Sequence, residues 1–87
     1  MDSNNRNDFR KTKLKELYDF YFNTSQSRKN VIQEIKEDAE VRAAYDYLQQ
    51  KGLIDYNEQG ASGGVMAASA KINAHGIDVI ELNLDLR

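Results

Sequence analysis

The stretch Val41-Arg-Ala-Ala-Tyr-Asp-Tyr-Leu-Gln-Gln-Lys-Gly-Leu-Ile54 decides how the rest of the chain is read. Val41, Ala44, Tyr45 and Leu48 fall at i, i+3, i+4 and i+7, which is one face of an α-helix. Asp38 supplies the cap, so a helix is predicted over 39–51. Gly52 stops it, because glycine accepts the left-handed conformation at a helix C-terminus. Leu53–Tyr56 then reads as a short strand, and Asn57–Gly64 as a turn containing Gly60, Gly63 and Gly64. From Val65 the chain alternates. Met66, Ala68, Ala70 and Ile72 lie on one side, and Val65, Ala67, Ser69 and Lys71 on the other. Two strands around a glycine turn make a hairpin. Asn73 caps a last helix, with Ile77, Ile80 and Leu84 as its inward candidates.

Upstream, Ser25 or Ser27 caps a helix predicted over 28–37, with Val31, Ile32 and Ile35 as its apolar edge. A first helix is predicted over 9–22, capped by Asp8. Its inward face is Leu14, Leu17, Tyr18 and Tyr21. Phe9, Phe20 and Phe22 widen that surface, which suggests a helix covered on two sides. Residues 1–7 contain no apolar side chain after Met1 and read as a disordered tail. The expected organisation is this tail, one domain over 8–83, and a short C-terminal tail over 84–87.

A chain of 87 residues makes one domain of marginal stability, the kind that gains from a partner. There is no cysteine, hence no disulfide or thiolate metal site. The N-terminal stretch is polar, without the apolar run of a signal peptide, so a soluble cytoplasmic protein is expected. The net charge of −2 hides a gradient. Residues 1–36 carry eight basic and five acidic side chains; residues 37–87 carry four basic and nine acidic. Such asymmetry can mark a nucleic-acid footprint, or merely a solvated helix face.

The order helix, helix, helix, strand, glycine turn, strand, helix resembles the winged helix-turn-helix superfamily of small bacterial and phage transcription regulators. The resemblance rests on two passages. Val41–Ile54 is similar to the family's recognition helix, with its Leu-x-x-Lys-Gly-Leu-Ile ending. Ala70-Lys-Ile-Asn-Ala-His-Gly-Ile-Asp-Val-Ile-Glu81 is similar to the second wing strand running into a closing helix; Asn73 stands where relatives often carry threonine. With the first helix the resemblance covers about 9–83, and a small YjcQ-like, phage-associated group is one candidate for nearest relative. It implies an α+β fold: a three-helix bundle, a two-stranded β-hairpin wing and a C-terminal helix.

It also implies a DNA-binding regulator, with helix 39–51 in the major groove and the wing at 57–65 against the backbone. The DNA-binding positions it assigns are Arg28, Lys29, Arg42, Ala43, Tyr47, Gln50 and Lys71. Double-stranded DNA and a second copy of the chain are the expected partners.

The outward residues of the predicted recognition helix temper this. They are Ala39, Glu40, Arg42, Ala43, Asp46 and Tyr47. Duplex affinity comes mostly from neutralising phosphates, and a carboxylate there is costly unless it accepts from cytosine N4. The wing carries Glu58 and no cation; between Lys51 and Lys71 there is none. The alternative is a winged helix used for protein contact or dimerisation, with the surplus aromatics of the first helix or Leu82–Leu86 as interface. Enzymatic activity is not expected. His75 is the only histidine and has no arguable nucleophile partner; Gly60–Gly64 lacks the Gly-Lys-Ser/Thr ending of a P-loop. No cofactor and no metal is expected.

Overall fold

The computed structural model describes residues 2–86. Helix α3 (Ala39–Gln50) forms as its pattern predicts. Asp38 Oδ1 accepts the Glu40 N–H at 2.9 Å, and Val41, Ala44, Tyr45 and Leu48 are buried. At the other end Gly52 has φ +75°. Its N–H reaches the Gln49 carbonyl at 2.9 Å, and the Leu53 N–H reaches that of Leu48 at 3.0 Å. This paired closure satisfies carbonyls the helix would leave open and turns the chain into the sheet.

Around α3 the order is α1 (Ser3–Asn23), β1 (Lys29–Asn30), α2 (Ile32–Glu37), then β2 (Ile54–Ala61), β3 (Gly64–Ile72) and α4 (Ala74–Glu81). The strands form one antiparallel sheet in the order β1-β3-β2, so the fold is α+β. Tyr45, Leu14, Leu17, Leu48, Ile72 and Val31 are the largest fully buried side chains, and they come from both helices and sheet. Helix α1 packs against α3, the sheet and α4, the two-sided cover its aromatics suggest.

Helix α1 starts at Ser3, so the tail predicted through residue 7 is helical from there on. Asp2, not Asp8, is its cap, accepting the Asn5 N–H at 2.9 Å. The early turns lean on α3: Arg6 lies 3.8 Å from Glu40, and the Arg10 guanidinium stacks 3.6 Å above the Tyr47 ring. Packing thus carries polar residues that propensity alone would leave unordered.

The helix predicted over 28–37 is shorter. Lys29 and Asn30 pair with Ala70 and Ser69 of β3, and the helix begins at Ile32. Neither serine caps it. Ser25 and Gln26 take left-handed backbone in the turn after α1, and the Ser27 hydroxyl donates to the Thr24 carbonyl. The Val31 N–H bonds the Ala68 carbonyl at 3.0 Å, so sheet pairing displaces the first helical turn.

The hairpin is longer than predicted. The ladder runs to Ala61↔Gly64, and only Ser62 and Gly63 connect the strands. A bulge lies between Gln59 and Gly60, where an added Cβ would meet the Gly64 carbonyl oxygen at 2.3 Å. Ala68, Ala70 and Ile72 are buried as their alternation implies, but Met66 is exposed because the hairpin projects beyond the core.

Asn73 caps α4 by accepting the Gly76 N–H at 3.0 Å, and its amide donates to the Gly52 carbonyl at 2.9 Å. That bond ties the end of α3 to the start of α4. After α4 the chain turns at Asn83 (φ +53°) and folds back, exposing Leu84 and burying Leu86. The predicted free tail over 84–87 is therefore packed through Leu86; Arg87 lies outside the described residues. Among the described residues no helix is long and apolar enough to cross a membrane.

Candidate interaction face of α3 and the hairpin

The outward side of α3 and the near side of β2 enclose an open groove of about 620 Å³. Ala39, Arg42, Ala43, Asp46 and Gln49 line it from the helix; Tyr56, Asn57 and Glu58 line it from the strand. The spacing on α3 follows from its apolar stripe, since burying Val41, Ala44, Tyr45 and Leu48 leaves the other residues outward.

Arg42 spans the groove. Its Nε and Nη2 donate to the two carboxylate oxygens of Glu58 at 2.8 and 2.6 Å. The Tyr56 hydroxyl donates to the same carboxylate. These bonds, that of Arg42 first, hold the Glu58 carboxyl below the usual carboxylate range. The Gln49 side chain accepts the Tyr56 N–H at 2.8 Å, pinning strand to helix. On the other side of the hairpin, Arg28 donates to Asp55 Oδ2 at 2.9 Å and to the Ser69 hydroxyl at 3.1 Å.

The seven positions assigned to DNA do not gather on one surface. Arg42 and Ala43 share the groove. Gln50 lies on α3 and donates to Asp46 at 2.8 Å. Arg28 belongs to the far side of the sheet with Asn30 and Met66. Tyr47 turns toward the C-terminal segment, its hydroxyl 3.4 Å from the Leu86 carbonyl and its face under Arg10. Lys71 lies 5.5 Å from the centre of the Tyr21 ring. Lys29 sits in an ion cluster, 3.2 Å from Glu34 and 3.8 Å from Glu16.

That cluster is structural. Lys13 lies 3.2 Å from Glu34 and 3.3 Å from Glu16, and the Tyr45 hydroxyl donates to Glu34 at 3.1 Å. Burial alone would raise the Glu34 carboxyl; the bonds from Lys13 and Lys29 more than offset it, and the net shift is downward. Burial, and then Glu34, pushes the Tyr45 phenol up. A carboxyl whose folded pKa is depressed stabilises the fold above the ordinary carboxylate range, and that contribution fades as pH falls through the folded value. We expect wild-type stability in urea to fall between about pH 5 and pH 3, and Glu34→Gln to start lower at pH 7 but lose less. Parallel pH curves for the two proteins would refute the assignment.

The charge balance of the face is acidic. Asp46 and Glu58 line the groove against Arg42, and Asp38 and Glu40 stand at the start of α3, where Glu40 lies 3.8 Å from Arg6 of α1. An exposed ion pair contributes only about 0–1 kcal/mol, so the Arg42–Glu58 bridge does not itself lock the arginine away. The excess of carboxylates is the larger effect. Sequence reading found that excess and missed both bridges, because Arg42 and Glu58, and Arg28 and Asp55, meet only through the sheet register. His75 is exposed on the first turn of α4. Among the described residues no group of three or more His, Cys, Asp or Glu side chains could hold a metal ion. No protein-family profile, curated protein or solved structure matches the chain.

Proposed function

We propose that the chain is a winged-helix module that meets a protein partner through the face formed by α3 and β2. Support for the winged-helix reading comes from the order of elements: helix, short strand, two helices, hairpin, helix, with β1 completing the sheet beside β3. The protein-contact reading is carried by one observation. Among the described residues Arg42 is the one cation that lines the groove; it is already bonded to a wing carboxylate, and Asp46 and Glu58 outnumber it. A duplex laid on this face would meet more negative than positive charge, and phosphate neutralisation is the main source of duplex affinity.

The test is a fluorescence anisotropy titration of the wild-type chain into a labelled random-sequence duplex at low salt. We expect no shift up to about 100 μM protein, weaker than ordinary non-specific binding. A saturable shift that falls steeply with salt and is lost in Arg42→Ala would overturn this reading. It would favour the second one, a DNA-binding regulator with α3 in the major groove. That reading draws on Ala39 and Ala43, whose small exposed side chains let α3 approach base edges closely.

Self-association is part of the same proposal. Val79, Ile80 and Leu84 of the C-terminal segment line a second groove with Lys11, Thr12 and Lys15 of α1. Leu82 and Leu84 are exposed beside it. Lys11, Lys15 and Glu16 of α1 put both signs of charge beside these apolar side chains, so the patch can complement itself across a two-fold axis. Sedimentation should therefore show a concentration-dependent dimer in the micromolar range, lost in Leu82→Lys with Leu84→Lys. A wild-type chain that stays monomeric throughout would remove the dimer from the proposal.

A further inference from the structure

Strand β2 lies at one edge of the sheet, with β3 on its inner side and, among the described residues, no strand beyond it. In an antiparallel ladder the backbone groups of successive residues point alternately toward the partner strand and away. The Tyr56 N–H points away, because Gln49 on α3 accepts it. Two residues further on, the amide and carbonyl of Glu58 point the same way, into the groove between β2 and α3. An open strand edge is a template for another chain. Natural edges are often guarded by proline or lysine, and Ile54–Ala61 contains neither.

The surroundings of this edge suit an added strand. Ala39 and Ala43 are exposed and small, so α3 leaves space beside β2. The bulge between Gln59 and Gly60 twists the hairpin beyond that point and confines regular pairing to the base of the strand, next to α3. Charge selects the occupant. Asp46 and Glu58 line the groove against Arg42, and the Asp46 carboxylate accepts from the neutral side-chain amide of Gln50 rather than from a cation. A second copy pairing through its own β2 would bring like carboxylates together, which is destabilising.

We propose that the groove binds an extended segment of a partner protein, carrying lysine or arginine at alternate positions, as a strand added to the edge of β2. Main-chain bonds to Glu58 would set its register, and a cationic side chain reaching Asp46 would form a charge-assisted bond. This rests on the protein-contact reading above and specifies the form of the partner.

The experiment uses the wild-type chain and a fluorescein-labelled peptide of about seven residues alternating lysine and valine, with a glutamate–valine peptide as control. Two further peptides carry N-methyl groups on alternate amides, one in each register. The lysine–valine peptide is expected to bind saturably and the control not to bind. One N-methylated register should lose about tenfold in affinity, the consequence of an amide bond unmade, while the other keeps it. Hydrogen exchange at the Glu58 amide should slow in the complex, and Asp46→Asn should weaken binding several-fold. Equal binding of both N-methylated peptides would show attraction by charge alone and overturn strand addition. So would the absence of lysine–valine binding up to about 1 mM. Either failure leaves the protein-contact reading in place so long as the chain ignores duplex DNA; duplex binding overturns that reading itself.

Discussion

Leu48→Ala is expected to destabilise the chain by about 2–5 kcal/mol, the range for truncating a fully buried leucine. Leu48 has no exposed surface and lies in the same core as Leu14, Leu17, Tyr45 and Ile72. Its carbonyl also accepts the Leu53 N–H that closes α3, so the residue sits where the helix hands the chain to the sheet. A domain of this size has a total stability of roughly 5–15 kcal/mol, so the loss would be a large fraction of it. Urea unfolding should show a lower midpoint with a similar slope, because the surface exposed on unfolding barely changes. A loss below about 1 kcal/mol would mean that the site collapses around the missing side chain or that α3 is not part of the core.

What the sequence made legible was local chemistry. Helix α3, its Asp38 cap, the Gly52 stop and the Asn73 cap depend on neighbours a few residues apart, and each is where spacing places it. What it hid depends on distant partners. Strand β1 is two residues long and has no period of its own; it exists because Lys29 and Asn30 find Ala70 and Ser69. The outer hairpin, 57–61, has solvent on both faces, so nothing in its polarity alternates to announce a strand. The first turns of α1 are polar and gain their order from Arg6, Phe9 and Arg10 meeting the rest of the domain. Leu86 reads as one of three alternating leucines in a tail, yet it is the one that reaches the core.

The candidate face divides in the same way. Its acidity was readable from Glu40, Asp46 and Glu58 in the sequence. That Glu58 answers Arg42 across the groove was not, since the two meet only after β2 folds beside α3. Nor was the dispersal of the assigned cations. Lys29 is consumed by the Glu16 and Glu34 cluster, and Lys71 lies beside Tyr21 rather than on the wing. The resemblance to DNA-binding regulators reads the scaffold; the charge that would bind a duplex has to be present on the surface itself.

The second large effect concerns that charge. The variant Glu40→Gln/Asp46→Asn/Glu58→Gln removes three negative charges from partly or fully exposed positions, so the core should be untouched. Each charge near a ligand ion at a solvated surface is worth up to about 1 kcal/mol, so together they should change affinity by about tenfold or more. Wild type and variant are titrated in one buffer against two labelled probes, a random-sequence duplex and the lysine–valine peptide. The two probes are expected to respond in opposite directions. Duplex binding should appear or tighten at least about tenfold in the variant, while peptide binding weakens by a similar factor. If the wild-type chain binds the duplex as tightly as the variant does, and the peptide no better, then the acidic face of α3 and β2 does not choose the partner.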